Sequence, residues 1–358
     1  MKNNLKFAYH RLFNDTDRKT IIFTSDDWGS IRIKSKKDRD DLEEKRLLIA
    51  DNRFDRFDTL ETNQDLEELF EVLLSFKDFK GNHPIITAPT NVANPNFEAI
   101  EQNGFEQYVY ETIAETISKT EGRDKVLNLY KEGIANKIFI PQSHGKEHLQ
   151  TDWWMNELKN KDSFARKVFS NHFFFIPDQF LVTNVTNLQA SFNANQTKDI
   201  AHYSETIQQT VKLFYELFNY YPTYFTPPAM FYNRILEDHL VRNGFKYIDV
   251  ELIQKNLLDQ KISLNYQGRK KRSLKAIVRN NVFETNLIPN NDGLDSCLKG
   301  IELAFKYKQP AIISNHRVSF AGGIEESNRA KGLQALRKLL NAILNKWPDA
   351  EFDTIPSL

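Results

Sequence analysis

The stretch "IIFTSDDWGS", Ile21 to Ser30, decides the fold. Its first half is β-branched and aromatic and reads as a buried strand. It then ends on two adjacent carboxylates, Asp26 and Asp27, which repel each other and are poor strand formers. In parallel α/β architectures the loops after the strands gather on one face, and active sites form there. A strand that ends on paired acids suits that face.

Working outward, six more short apolar runs read as strands: 84–89, 137–143, 223–228, 246–250, 276–281 and 311–315. Segments with helical periodicity lie between several of them. Residues 58–78 carry Leu66, Leu69, Phe70, Leu73 and Leu74 on one helical face. Residues 124–137, 232–244 and 328–347 are further helices, the second of these ending on a glycine suited to a C′ position. Alternating strands and helices predict a mainly parallel sheet with helices outside. Seven strands without a linker or repeat predict one domain over 1–358, built as an open or irregular barrel. A doubly wound sheet is the alternative. Segment 165–200 breaks the rhythm and reads as an insertion or lid.

Composition narrows the function. The 48 basic and 48 acidic residues cancel, so no global field recruits nucleic acid or an anionic membrane. No window approaches the roughly 18 apolar residues of a spanning helix. The single cysteine, Cys297, excludes an intrachain disulfide and fits a reducing compartment. "MKNNLKFAYHRLF" lacks an apolar signal core, so a cytoplasmic protein is expected.

The chemistry sits where the strands end. In "QSHGKEHLQ", His144 and His148 are four residues apart, so on a helix or a tight turn both imidazoles face one side. Two histidines and a carboxylate make a common catalytic zinc set with a position left for water, although other divalent ions also suit such ligands. A metal explains the Asp26-Asp27 doublet as well: one acid ligates and its neighbour accepts a proton from water. His316, after the last strand, is a candidate general acid.

"FTSDDWGS", "SHGKEH", "FTPPAMFY" and "IISNHR" resemble, in order, the motifs of the polysaccharide deacetylase family, also called the NodB-homology or carbohydrate esterase family four. The resemblance spans about residues 20–320. It implies a distorted (β/α)7 barrel of the glycoside hydrolase–deacetylase type and a divalent metal, usually zinc. It places the metal on Asp27, His144 and His148, the general base at Asp26 and the general acid at His316. Asp249 matches the acid of the fourth motif. Trp28 intervenes in the first motif and Gly145 stands where serine or threonine is usual. Thr226 stands where the family has the arginine that contacts the base; Arg279, Arg317 and Arg32 are the candidates to replace it. Trp28, Asn91, Pro228, Asp249 and Arg317 are the expected substrate contacts.

The resemblance thus implies a metal-dependent hydrolase that removes an N-acetyl or O-acetyl group from a sugar in a polysaccharide, oligosaccharide or glycan precursor. Two alternatives stand beside it. One is a glycosidase on a related seven-stranded barrel, which needs two carboxylates about 5–10 Å apart. The other is a carbohydrate-binding relative without activity.

Overall fold

The computed structural model describes residues 2–11, 16–48, 53–183, 185–256, 258–285 and 292–357. Its centre is a sheet of ten strands among the described residues, eight of which form its parallel run: β1 (Thr20–Asp26), β2 (Ile86–Thr90), β3 (Phe139–Ser143), β4 (Tyr224–Phe225), β5 (Tyr247–Asp249), β6 (Leu274–Ile277), β7 (Asn281–Val282) and β8 (Ala311–His316); Lys270–Lys271 adds antiparallel to β6 and Glu351–Phe352 parallel to β1. Their spatial order is β6-β5-β4-β3-β2-β1-β8-β7. Every residue of β1 and β2 is buried, as expected of parallel strands covered on both faces.

The sixth predicted run is two strands. Its first half, β6, pairs with β5, and its second half, β7, pairs with β8 at the other end of the sheet. Three residues, 278–280, join them. The sheet therefore curls into a distorted (β/α)7 barrel whose sixth strand changes partners midway. Asn280 finishes the seam with its side chain: its Oδ1 accepts from the Ile312 amide at 3.0 Å and its Nδ2 donates to the Pro310 carbonyl at 2.8 Å.

Helices cover the outside, each for local reasons. Asn63–Leu74 begins at a capping box in which Thr62 and Asp65 satisfy each other's backbone amides. It buries Leu66, Leu69, Phe70 and Leu73, each worth about 1.5–3 kcal/mol. Glu326–Lys346 buries Leu333, Leu336, Leu339, Leu340 and Ile343 along the same kind of stripe. Gly244, with φ +86°, follows the helix Leu236–Arg242, as the sequence predicts.

Much of segment 165–200 packs in an aromatic cluster of its own. Phe169, Phe173, Phe174, Phe175 and Leu188 close on Phe97, Trp153 and Trp154, which are all buried. Among the described residues no helix is long and apolar enough to cross a membrane.

Candidate metal centre

The register of β1 against β8 sets Asp26 beside His316 at the C-terminal end of the sheet. The chain then turns sharply. Asp27 has φ +73°, a conformation that non-glycine residues adopt at a cost and that Asp tolerates better than most. Gly29, at φ +77°, passes so close to β2 that an added Cβ would lie 2.3 Å from the Asn91 carbonyl oxygen. Here only glycine fits. The turn separates the two acids, so that they meet different partners.

Asp27 faces two imidazoles. Its Oδ1 lies 3.3 Å from His144 Nε2 and 3.4 Å from His148 Nε2. Residues 144–150 form no helix; a tight loop with Gly145 at φ +82° brings the rings together, before Gln150 caps the helix Thr151–Lys159. His144 Nδ1 donates to the Thr226 carbonyl at 2.8 Å, which turns Nε2 toward Asp27. That Nε2 is buried and has no hydrogen-bond partner among the described residues. His148 lies against the ring of Phe175, contributed by segment 165–200. Burial lowers the His148 pKa to about 4, against the pull of Asp27, so the ring is neutral at pH 7. Burial also opposes ionisation of Asp27, but His144, His148 and His316 outweigh it and hold the carboxyl well below its ordinary range.

Asp26 meets a guanidinium. Arg279, in the seam between β6 and β7, binds it with two parallel hydrogen bonds of 2.6 and 2.8 Å. The same guanidinium donates to Asp249 at 2.5 Å and to the Thr226 hydroxyl at 3.1 Å. Asp249 also accepts from Thr226 Oγ1 at 2.8 Å and from the Tyr224 hydroxyl. Thr226 therefore serves both sides, through its carbonyl to His144 and its hydroxyl to Asp249.

His316 has a third environment. Its Nδ1 lies 2.5 Å from Glu284 Oε1, and Glu284 is held in turn by Arg53 and by Ser319 Oγ at 3.0 Å. Burial disfavours the imidazolium, yet Glu284 outweighs it and raises the His316 pKa to about 9. Glu284, despite its own burial, drops to about 2 beside His316 and Arg53.

A cleft of about 650 Å³ opens beside these groups, lined by Asp26, Arg279, His316, Met230, Glu251 and Leu252 among others. The five expected substrate contacts do not line it. Trp28 is fully buried, edge-on to Phe139. Asn91 is buried and donates to the His144 carbonyl at 2.7 Å. Pro228 is buried near Gly145. Asp249 is fully buried on Arg279. Arg317 is 1% exposed, bound to Asp58 at 2.8 Å and Glu61 at 2.9 Å. Of the three arginines considered for Asp26, Arg279 is the one bonded to it, while Arg32 pairs with Asp55 at 2.6 Å. Glu284 and Arg53 carry no local sequence signal.

The three ligand atoms of Asp27, His144 and His148 lie within 4.8 Å of one another. Zinc bonds of roughly 2.0–2.1 Å at tetrahedral angles set ligand atoms roughly 3.3–3.4 Å apart. The separations from Asp27 to the two nitrogens match that edge, and the partnerless His144 Nε2 supplies a buried lone pair for it. The residues fit a divalent cation.

Comparison with known proteins finds one family model and a number of similar solved structures. The family model of glycosyl hydrolase family 57 matches residues 188–291. That stretch holds Thr226, Asp249, Arg279 and Glu284 but none of the three candidate ligands. No curated protein matches the chain. The chain is similar to a 4-alpha-glucanotransferase from Thermococcus litoralis, with 11% identity and a TM-score of 0.46 over 95% of this chain and 40% of that one. It thus spans two fifths of that protein's length. It is similar to an allantoinase, with 11% identity and a TM-score of 0.45 over 97% of this chain and 91% of that one. A third likeness is to the CE4 domain of a multidomain xylanase from the hindgut metagenome of Trinervitermes trinervoides, with 10% identity and a TM-score of 0.38 over 95% and 89%.

Proposed function

We propose that the protein is a metal-dependent hydrolase that removes an acetyl group from an amino sugar or sugar ester. The observation that carries this reading is the arrangement of Asp27, His144 and His148 next to a carboxylate already committed to an arginine, Asp26, and a histidine already committed to a glutamate, His316.

Asp27, His144 and His148 would hold the cation. When bound, a divalent metal lowers the pKa of water toward about 7 and polarises a carbonyl. Asp26 lines the cleft and takes the proton of the attacking water. Arg279 pairs with that carboxylate and fixes the direction of its lone pairs. His316 also lines the cleft, with Nδ1 engaged by Glu284, and delivers a proton from Nε2 to the departing nitrogen or oxygen. Thr226 sits where the resembling family places an arginine; Arg279 comes to the same carboxylate from the seam of the barrel instead.

A glycosidase is the second reading, favoured by the family 57 match. Within that match Asp249 and Glu284 are buried, are tied to Arg279 and Arg53, and do not line the cleft, whereas Glu251 does. That placement weighs against Asp249 and Glu284 as a pair flanking a glycosidic bond. The test is to incubate the zinc-loaded protein with acetylated amino sugars and oligosaccharides, with and without chelator. Chelator-sensitive acetate release supports the deacetylase. Reducing-sugar release without acetate overturns it.

A further inference from the structure

The short hairpin that follows β5 is built inside out. Its strands Ile253–Lys255 and Ile262–Leu264 pair antiparallel, with Ile253 opposite Leu264 and Lys255 opposite Ile262. Pairing and alternation put Ile253, Lys255, Ile262 and Leu264 on one face. That face is exposed: Ile253 is 62%, Ile262 70% and Leu264 56% accessible. Gln254, on the opposite face, is buried, with its Nε2 3.5 Å from the Tyr232 carbonyl. A small soluble sheet ordinarily hides its apolar side chains and shows its polar ones. Residues 232–234 pack on that opposite face: Arg234 donates to Ser263 Oγ at 3.0 Å and Asn233 to Asn256 Oδ1 at 3.2 Å, so the outer face stays uncovered. Contiguous apolar surface of this kind marks a contact site.

The charge around it is one-sided. Between 251 and 276 the chain carries seven lysines and arginines against two acids, in a protein whose charges cancel overall. Lys255 lies on the apolar face itself, and Lys261 lies in the connecting turn. Lys270 and Lys271 continue along the adjoining edge, where Lys271 Nζ donates to the Arg234 carbonyl at 3.4 Å. Glu237 and Asp238 offset part of this charge through Arg269, Lys271 and Arg272. Apolar side chains that insert shallowly, ringed by lysine and arginine, are the chemistry of a surface that binds anionic lipid. The patch also borders the cleft, because Glu251 and Leu252, which immediately precede Ile253, line the cleft wall.

We infer that this hairpin face docks the protein on an anionic lipid bilayer, with the cleft mouth at the membrane surface. The inference stands apart from the metal chemistry and does not need it. Sedimentation of the full chain with vesicles tests it. The protein should pellet with vesicles of phosphatidylcholine mixed with phosphatidylglycerol, and not with phosphatidylcholine alone. Raising the salt from about 0.1 M to about 1 M should release it. Lys255→Glu with Lys270→Glu, and separately Ile262→Ser with Leu264→Ser, should each weaken binding by roughly tenfold or more. Unchanged thermal melting in both double variants shows that they fold. Failure to pellet with the anionic vesicles, equal pelleting with neutral ones, or undiminished binding of the double variants overturns the inference. So does self-association abolished by Ile262→Ser with Leu264→Ser in a protein that ignores lipid, because a second copy then covers the face.

Discussion

Asp26 and Asp27 are neighbours in the chain and opposites in their surroundings. Asp26 is gripped by a guanidinium through two short hydrogen bonds, and that guanidinium is pinned from behind by Asp249 and Thr226. Asp27 faces two imidazoles, and one of them, His144, points at it a buried nitrogen without a hydrogen-bond partner among the described residues. The first carboxylate has its charge neutralised permanently by the protein. The second faces imidazoles, and in the proposed function a cation would bind there. Two adjacent acids can both stay ionised in a buried site only when each has its own source of positive charge. The left-handed turn at Asp27 points them at different sources.

The largest effect should come from removing the open side. Asp27→Ala or His144→Ala is expected to abolish stoichiometric zinc, read by elemental analysis, and to lower acetate release by about three orders of magnitude. Asp26→Asn should keep the zinc and still lose turnover. Loss of metal in Asp26→Asn would erase the distinction between the two acids.

Next in size is the closed side. Arg279→Gln leaves Asp26 and Asp249 buried with no cation between them, and removing one partner of a buried ion pair costs about 3–5 kcal/mol. Turnover should fall about a hundredfold with zinc retained, because the base loses its orientation rather than its neighbour losing the metal. Adding Thr226→Arg to Arg279→Gln returns an arginine to the family's position and should recover part of the loss in turnover. No recovery, together with a well-folded protein, would mean that the seam arginine does something that the third-motif arginine cannot.

His316 belongs with Asp26, since its charge too is settled by a fixed partner. The folded imidazole holds its proton up to about pH 9, against an ordinary value of 6.5. Its contribution to stability is therefore complete below pH 6.5 and disappears as pH rises through about 9. Glu284 works in the other direction: its contribution is present above its ordinary 4.5 and is lost as pH falls through about 2. Glu284→Gln should move the alkaline limb of the kcat/KM profile toward lower pH. It should also flatten the loss of stability between pH 6.5 and about 9.

The sequence carries these two sides unequally. Both halves of the Asp27 side are local: two adjacent acids, and two histidines four residues apart. The Asp26 side joins residues 253 positions apart, and Glu284 reaches His316 across 32. Arg279 looked like one more residue of a strand because the run 276–281 is continuous in composition. Only the closing of the barrel splits it into β6 and β7 and leaves Arg279 in the gap. The seven strands were legible because each is a short apolar run between polar turns. Their ends were not a guide to substrate contacts, because successive side chains of an extended chain leave on opposite sides. Trp28 and Arg317 accordingly follow strands and point into the protein.

The smallest expected effect tests how the open side is held open. Gly145 stands between the two histidines at φ +82°, where a resembling family usually has serine or threonine. An added Cβ would meet Phe192 at 3.2 Å and Pro228 at 3.4 Å, so the space is tight but not closed. Gly145→Ser should cost about 1–2 kcal/mol of stability, mainly from the left-handed backbone, measured by denaturant unfolding of the metal-free protein. Zinc affinity should fall further than stability does, because a shift of the loop moves His144 and His148 together away from Asp27. Equal losses would mean that the loop is merely strained. A larger loss of zinc would mean that the glycine sets the distance between the imidazoles, and with it the gap that Asp27 keeps for a cation while Asp26 keeps none.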